Sequence, residues 1–535
     1  MALVGKEEIR GIDSEKLNNL LDVVLERRLQ PEDKYEIAAL LESKGWTDDR
    51  AAEEFGAENV FELAAYLWDI GQERFTAVPL PPASKMGFFS YMAMVLRSFL
   101  RGMIFALPMA ISVLAMLILR FSLWSYENLS LELATAIAIG TIMSFMAVGG
   151  FTQAIARRGF LYIKLGYYNM ARRITYYFVR LGYLVCSAIF LVFLVFNAFF
   201  GVFPFRMVVV ILLYFIFLSA IWLSVTVMYI LQRELAFTGL LAAGIFTVYI
   251  FFVVLKFNII VSQIISLCLV SIAGVILAVF FFISAERKLE KGIAPSLPRA
   301  SITIYTVLPY FIYGFLYFTF LFMDRIIAWS TSNVYMPYLI WFRGPYEMGL
   351  DLALITLILP MGFIEVVVNE FMANLETHQK NYKASRAAAL GMRYLGIYLR
   401  RIYLVVLFSA ATAAAVYLAV RFIHLNPVLP LEVNLLSSKI THFVFIAALA
   451  GYTVLCAGLM NALILFSLSQ PEMVGRSILW GLVANIVVGF PLSRWFDHHF
   501  AVLGLLFGAA VFLATTCRGV VKVLKNLDYY LYAAS

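Results

Sequence analysis

The sequence predicts an all-α polytopic membrane protein: about twelve transmembrane helices in two parallel-repeat six-helix halves, preceded by a small helical module. Three observations predict it. Hydrophobic residues make up 63% of the 535 residues and charged residues only 14%, whereas a soluble chain of this length needs far more charge on its water-facing surface. Apolar windows of roughly 18 residues or more recur, each long enough to cross about 30 Å of hydrocarbon as a helix. The order of these windows also repeats, as set out below.

Taken in order, residues 1–75 are an acidic, cytosolic helical module. Leu17, Leu20, Leu21 and Val24 recur at helical spacing behind Asp13 and Ser14 as caps, Pro31 and Thr47 mark further helix starts, and Gly45 and Gly56 mark stops. Residues 76–101 are a Pro-rich linker, "TAVPLPPASKMG" over 76–87, with a juxtamembrane segment. The first half, 102–300, holds spans near 102–120, 131–155, 181–203, 207–231, 237–255 and 258–284. The second half and a cytosolic C-terminal tail, 301–535, hold spans near 302–323, 349–371, 402–421, 441–468, 477–493 and 499–517.

The net charge of +8 conceals two opposed regions: residues 1–75 carry 9 Lys/Arg against 18 Asp/Glu, and residues 76–535 carry 32 against 15. The excess base lies beside the membrane, where anionic headgroups attract it, so membrane lipids are expected partners and nucleic acid is not. With the N-terminus inside, only 8 of those 32 lie outside (Arg120, Arg206, Lys256, Arg325, Arg343, Arg421, Lys439 and Arg494) and 24 inside. That bias satisfies the positive-inside rule, and an even helix count leaves both termini cytosolic. The N-terminus lacks a short apolar core with a cleavage site, so no signal peptide is expected. Cys186, Cys268, Cys456 and Cys517 fall in or beside apolar runs without a CxxC, and read as small buried side chains.

The repeat is carried by "FALPMAIS" (105–112) in the first span and "TVLPYFIY" (306–313) in the seventh, each with Leu-Pro early in the helix. Pro108 and Pro309 each remove a backbone hydrogen bond and are expected to bend their helices. The second and eighth spans each lead into a basic, aromatic connection, 156–184 and 378–406, read as headgroup-binding amphipathic helices or as a docking surface for a synthase. Two six-helix halves share one orientation, which places a pseudo-two-fold along the membrane normal and a cleft between the lobes.

With proline-bearing first helices in both halves, the chain resembles the MATE/Wzx/MurJ-type flippase superfamily. Within it, "LPYFIYGFLYFTFLFMDRIIAWS" (308–330) and "RGPYEMGLDLALITLILP" (343–360) resemble the inner-membrane transporter family of the Pel exopolysaccharide system (PelG family). The resemblance covers residues 81–535 and leaves 1–80 without a counterpart. It implies movement of a growing polysaccharide rich in N-acetylgalactosamine across the bacterial cytoplasmic (inner) membrane, in a biofilm system regulated by cyclic di-GMP. It also implies a cytosolic glycosyltransferase and small inner-membrane proteins as partners.

The embedded charges carry the chemistry. No GxxxxGK[ST] occurs, so ATP hydrolysis is not expected, and an ion gradient and polymer synthesis both remain open as the energy source; the transporter reading carries with it the expectation of no enzyme activity and no cofactor. Arg120 ends the first span, Asp324 and Arg325 end the seventh, and Asp351 opens the eighth, with Glu365 and Glu370 further along it. A charge near the bilayer centre costs roughly 2.5–3.5 kcal/mol on insertion scales, so such residues mark a substrate or ion pathway or else snorkel to the interface. Asp324 is expected to pair with Arg120 across the lobes. Tyr310, Tyr313 and Tyr317 share one helix face and offer rings to sugars, or pack against helices or lipid. Asp497-His498-His499 lies in a short turn without a second cluster, so no metal site is expected. "GLLFG" (504–508) reads as intramolecular helix packing. The alternatives to polysaccharide transport are another flippase or cation-coupled exporter of the superfamily, a polytopic glycosyltransferase, and a receptor or scaffold.

Overall fold

The computed structural model describes residues 14–27, 31, 33–77, 88–126, 128–289, 299–331, 338–379, 387–425, 436 and 438–534. Among them every regular element is helical, and the only β pairing is a bridge between Phe121 and Tyr126. The chain divides into two compact units, Met1–Leu96 with Asn369–Arg400 and Val521–Ser535, and Arg97–Val368 with Arg401–Val520.

The first unit contains α1 (Ser14–Arg27), α2 (Lys34–Ser43), α3 (Asp48–Phe55) and α4 (Val60–Ala77). Leu17, Leu21 and Val24 are fully buried and pack with Ile37, Leu41, Leu63 and Leu67 in a core drawn from this segment alone. Of the expected caps, Asp13 and the Ser14 side chain lie outside the described residues, and the others follow the sequence with one correction. Thr47 accepts the Arg50 N–H and Gly56, at φ +67°, ends α3, but α2 starts at Asp33, which accepts the Glu36 N–H, and not at Pro31. Glu62 accepts the Glu58 backbone N–H and the Tyr66 hydroxyl, which hold its carboxyl below the usual range. A closed core predicts that residues 81–535 expressed without this segment remain monodisperse in detergent. Aggregation of the shortened protein by size exclusion would show that the segment is needed to cover apolar surface elsewhere.

The membrane helices are α5 (Phe88–Leu119), α6 (Leu131–Lys164), α7 (Tyr168–Phe200), α8 (Phe205–Ile230), α9 (Glu234–Tyr249), α10 (Ile259–Leu289), α11 (Ala300–Trp329), α12 (Gly344–Leu354), α13 (Ile358–Gln379), α14 (Ala387–Leu425), α15 (Lys439–Ser467), α16 (Pro471–Trp495) and α17 (Ala501–Lys525), followed by the short α18 (Leu527–Ala534). Among the described residues eleven spans are long and apolar enough to cross a membrane, α12 and α13 forming one of them. The chain is a multi-pass membrane protein. The remaining expected span, 102–120, falls on α5, where the side chains of 104–110, Pro108 included, lie outside the described residues.

Several boundaries move for identifiable reasons. α5 begins at Phe88, so the juxtamembrane part of 76–101 is helical. The basic connection 156–184 is no separate amphipathic helix: α6 runs to Lys164 and α7 resumes at Tyr168, the turn between them closed by Gly166 at φ +82°. The eighth span begins five residues before the expected 349 and tightens to a 3₁₀ turn at Ile355–Leu357, just ahead of Pro360, whose missing N–H and ring disfavour an α turn there. Pro309 lies inside an unbroken α11.

Within the second unit, α6 packs against α7 and α8, α8 against α10, and α12 against α15. α11 joins the halves, since it packs against α16 of its own half and α6 of the other. Gly504 and Gly508 of α17 pass close to Asn485, Gly489 and Gly481 of α16, so the GLLFG stretch serves intramolecular packing.

Candidate functional site

Asp324 and Arg325 are neighbours on α11, so their side chains leave the helix about 100° apart. α12 supplies a partner for each. Pro345 sits in its first turn, where the missing N–H costs nothing, and Glu347 and Asp351 are four residues apart on one face. Gly349 lets α12 lie against α15: a Cβ there would fall 2.8 Å from the Thr441 carbonyl oxygen. The Thr441 hydroxyl donates to the Pro345 carbonyl at 3.0 Å and fastens the same contact.

Arg325 donates through Nη1 to Glu347 Oε2 at 2.5 Å and through Nη2 to Asp351 Oδ1 at 3.2 Å. Glu347 takes a second bond on Oε1 from the Trp329 indole N–H at 2.8 Å. The Tyr346 hydroxyl donates to Asp324 Oδ2 at 2.8 Å. Asp324 is fully buried, and its Oδ1 has no hydrogen-bond partner. Tyr452 of α15, also buried, lies within electrostatic reach of Asp324 and Arg325. Three carboxylates thus surround one guanidinium. The Arg325 and Glu347 side chains are 12% and 6% exposed, while that of Asp351 is 51% exposed and opens the cluster on one side. A buried group of this composition with an unpaired acceptor can hold a proton or a small cation, or receive a hydroxyl or ammonium group.

Arg494 of α16 secures the adjoining end of α11. It donates to the Ile327 carbonyl at 3.1 Å, to the Ser330 hydroxyl at 2.9 Å and to the Thr331 hydroxyl, and its guanidinium lies 4.1 Å from the Phe490 ring centroid. Arg343 adds a bond to the Thr331 carbonyl at 2.7 Å.

The structure corrects the expected partner of Asp324. It is Tyr346 of the same half, not Arg120, which closes α5 in a left-handed conformation at φ +63°. Nor does Arg325 snorkel, since both of its partners lie on α12. Beyond α5, the first half uses a neutral network: Gln263 donates to the Ser122 and Ser125 carbonyls at 3.0 Å and accepts from the Tyr214 hydroxyl at 2.7 Å. The first half also holds an ion pair, Arg172 with Glu286 at 2.8 Å, but its side chains are 30% and 22% exposed, more than the 12% and 6% of Arg325 and Glu347.

Of the other expected site residues, Asp351 joins the cluster and the rest do not. Glu365 sits where α13 crosses α5, its Cβ 2.9 Å from where a Cβ on Gly102 would be. Glu370 accepts from the Tyr91 hydroxyl at 3.1 Å. Tyr310 and Tyr313 are buried against Phe466 of α15, with centroids 5.5 and 4.8 Å away, and Tyr317 stacks on Tyr313 at 5.9 Å. Tyr310 also lies under the guanidinium of Arg157 from α6 of the other half, 5.0 Å from its ring centroid. Glu347, Tyr346 and Trp329 escaped the sequence reading. The available signal was the Glu347/Asp351 spacing of four, which marks a double-acid face on an apolar helix.

No family model matches the sequence, and no curated protein matches it significantly. Solved structures do match in fold. A MATE in the straight conformation aligns with TM-score 0.53 at 13% identity, covering 81% of this chain and 96% of the other. A MATE in complex with MaD3S gives the same four values. A MOP superfamily transporter from Pyrococcus furiosus Vc1 aligns with TM-score 0.52 at 15% identity, covering 80% and 96%. The chain spans nearly the whole length of these transporters and has the fold of MATE and the wider MOP superfamily.

Proposed function

We propose that this protein is an exporter or flippase of the bacterial cytoplasmic membrane that carries a growing, Pel-like exopolysaccharide outward between its two six-helix halves. Both termini are cytosolic in this reading. The observation that supports it best is where the buried cluster lies: Asp324, Arg325 and Trp329 fall in 308–330, and Tyr346, Glu347 and Asp351 in 343–360. Those are the two segments that resemble Pel transporters. A cytosolic glycosyltransferase supplies the polymer, and small inner-membrane proteins complete the assembly.

The excess of two carboxylates over the single guanidinium favours a second component in the cycle, a proton or cation that enters and leaves the cluster as the halves rearrange. The same feature supports the alternative cargo, a lipid-linked oligosaccharide or small molecule moved by a cation-coupled exporter.

Asp324→Asn tests the reading. Asparagine keeps an acceptor for the Tyr346 hydroxyl but removes the charge, so the protein should fold and insert as before. Export should fall by a factor of about 10 or more, as expected when a group used only during turnover is lost. Polymer is measured outside the cell with a lectin for N-acetylgalactosamine, against membrane levels of the protein. Normal export by the variant would remove Asp324 from the mechanism. Loss of small-molecule or lipid-linked transport without an effect on polymer would move the cargo to the alternative.

A further inference from the structure

The turn between α16 and α17 brings Asp497, His498 and His499 around one point, and we propose that it binds a divalent transition-metal ion of the zinc class. One ligand atom from each residue lies within 4.8 Å of the other two. The sequence alone gives no reason to expect this, because three consecutive side chains normally diverge. Here the backbone is extended at Asp497 (φ −165°) and then enters a 3₁₀ turn over His498–Phe500, which folds both imidazoles back beside the carboxylate.

The two carboxylate oxygens have different tasks. Oδ1 accepts the His498 backbone N–H at 2.7 Å and faces His498 Nδ1 at 2.6 Å. Oδ2 faces His499 Nδ1 at 3.2 Å. Bonds of about 2.0–2.2 Å from zinc to nitrogen and oxygen put neighbouring ligand atoms about 3.3–3.5 Å apart. The Oδ2 to Nδ1 separation therefore accepts the ion with a movement of a few tenths of an ångström.

A second observation points the same way. His499 Nδ1 is buried and makes no hydrogen bond, although a carboxylate oxygen is within reach. An ion bound to both atoms would use this unpaired nitrogen without needing it aimed at the oxygen, since at those lengths the bond to nitrogen leaves the N···O line by about 40°.

The ligands are held ready. His499 is packed by Phe443 and Phe500, with centroids at 5.3 and 4.6 Å. The side chains of His498 and His499 are 14% and 19% exposed, which leaves water to complete the coordination. Arg343, the neighbouring cation, donates to the Thr331 carbonyl and is no ligand.

The test uses the tag-free full-length protein in detergent. Co²⁺ titration should develop the intense visible absorption of a low-coordinate site, and Zn²⁺ should displace it at one ion per chain. Mg²⁺, which prefers six oxygens, should not compete. His499→Ala and Asp497→Asn should each weaken Zn²⁺ binding by about 10–100-fold. Asparagine is as good a cap as aspartate, so the second variant keeps the turn. His442→Ala, outside the turn, should bind like the parent. Unchanged affinity in both turn variants, or no saturable Zn²⁺ binding in the micromolar range, would overturn the proposal.

Discussion

Arg325→Leu should prevent accumulation of the folded protein, and adding Glu347→Leu should recover part of it. Among the described residues the guanidinium is the one cation within hydrogen-bond reach of Glu347 and Asp351, and the Glu347 side chain is 6% exposed. Breaking a buried ion pair from one side typically costs about 3–5 kcal/mol, because the remaining charge is left uncompensated in low dielectric. That is a large share of the roughly 5–15 kcal/mol that holds an ordinary domain together. Removing both partners costs much less, since a leucine pair of similar volume needs no counter-charge. Trp329 then loses the acceptor for its indole N–H, which is why the recovery is partial. Membrane yield and the thermal midpoint in detergent, measured for parent, single and double variants, give the coupling directly. A single variant as stable as the parent would mean that the pair is solvated and contributes nothing, as exposed pairs often do.

The same pair shows what the sequence discloses. That Asp324 and Arg325 needed a reason was plain from their place in an apolar run. The period of Leu17, Leu21 and Val24 likewise marked the core of the N-terminal segment correctly. The partner of Asp324 was not legible. Repeat symmetry points to Arg120, but the direction of a side chain is settled by which helix is packed opposite. Here Gly349 and Thr441 bring α12 onto α15, and that sets Tyr346 and Glu347 against α11. Helix ends near the basic connections failed for another reason. Polar and aromatic residues can continue a membrane helix past the bilayer as easily as they form a surface helix, so composition cannot place the turn. The DHH turn was illegible because its convergence depends on one extended residue before a 3₁₀ turn.

Gly314→Ala should drive the two halves apart along the contact between α6 and α11 and stop transport. A Cβ on Gly314 would lie 2.2 Å from the Gly149 carbonyl oxygen, and one on Gly149 would lie 2.8 Å from the Gly314 carbonyl oxygen. The obstacle is backbone, so no rotamer change relieves it. The mirror contact lies between α5 and α13, where a Cβ on Gly102 would fall 2.6 Å from the Met361 carbonyl oxygen and one on Gly362 2.8 Å from that of Phe99. Gly102 and Gly314 are both the fifteenth residue of their helices, and Gly150 and Gly362 share their offset of 212. The first helix of each half thus crosses the second span of the other at equivalent glycines, as a two-fold axis requires. Overpacking such a contact costs about 1–3 kcal/mol, enough to shift an equilibrium between touching and separated halves by about 5- to 150-fold. Cysteines introduced at Arg158 and Thr306, whose side chains are hydrogen-bonded across the same helix pair, report the touching state by the yield of a short bifunctional thiol cross-link once Cys186, Cys268, Cys456 and Cys517 are replaced, the linker spanning the length that the arginine side chain spans. Gly314→Ala should lower that yield in proportion while the protein stays monodisperse. Gly475→Ala, where a Cβ meets nothing within 4 Å, should not. Equal yield and normal export in Gly314→Ala would show that the halves do not rely on this crossing.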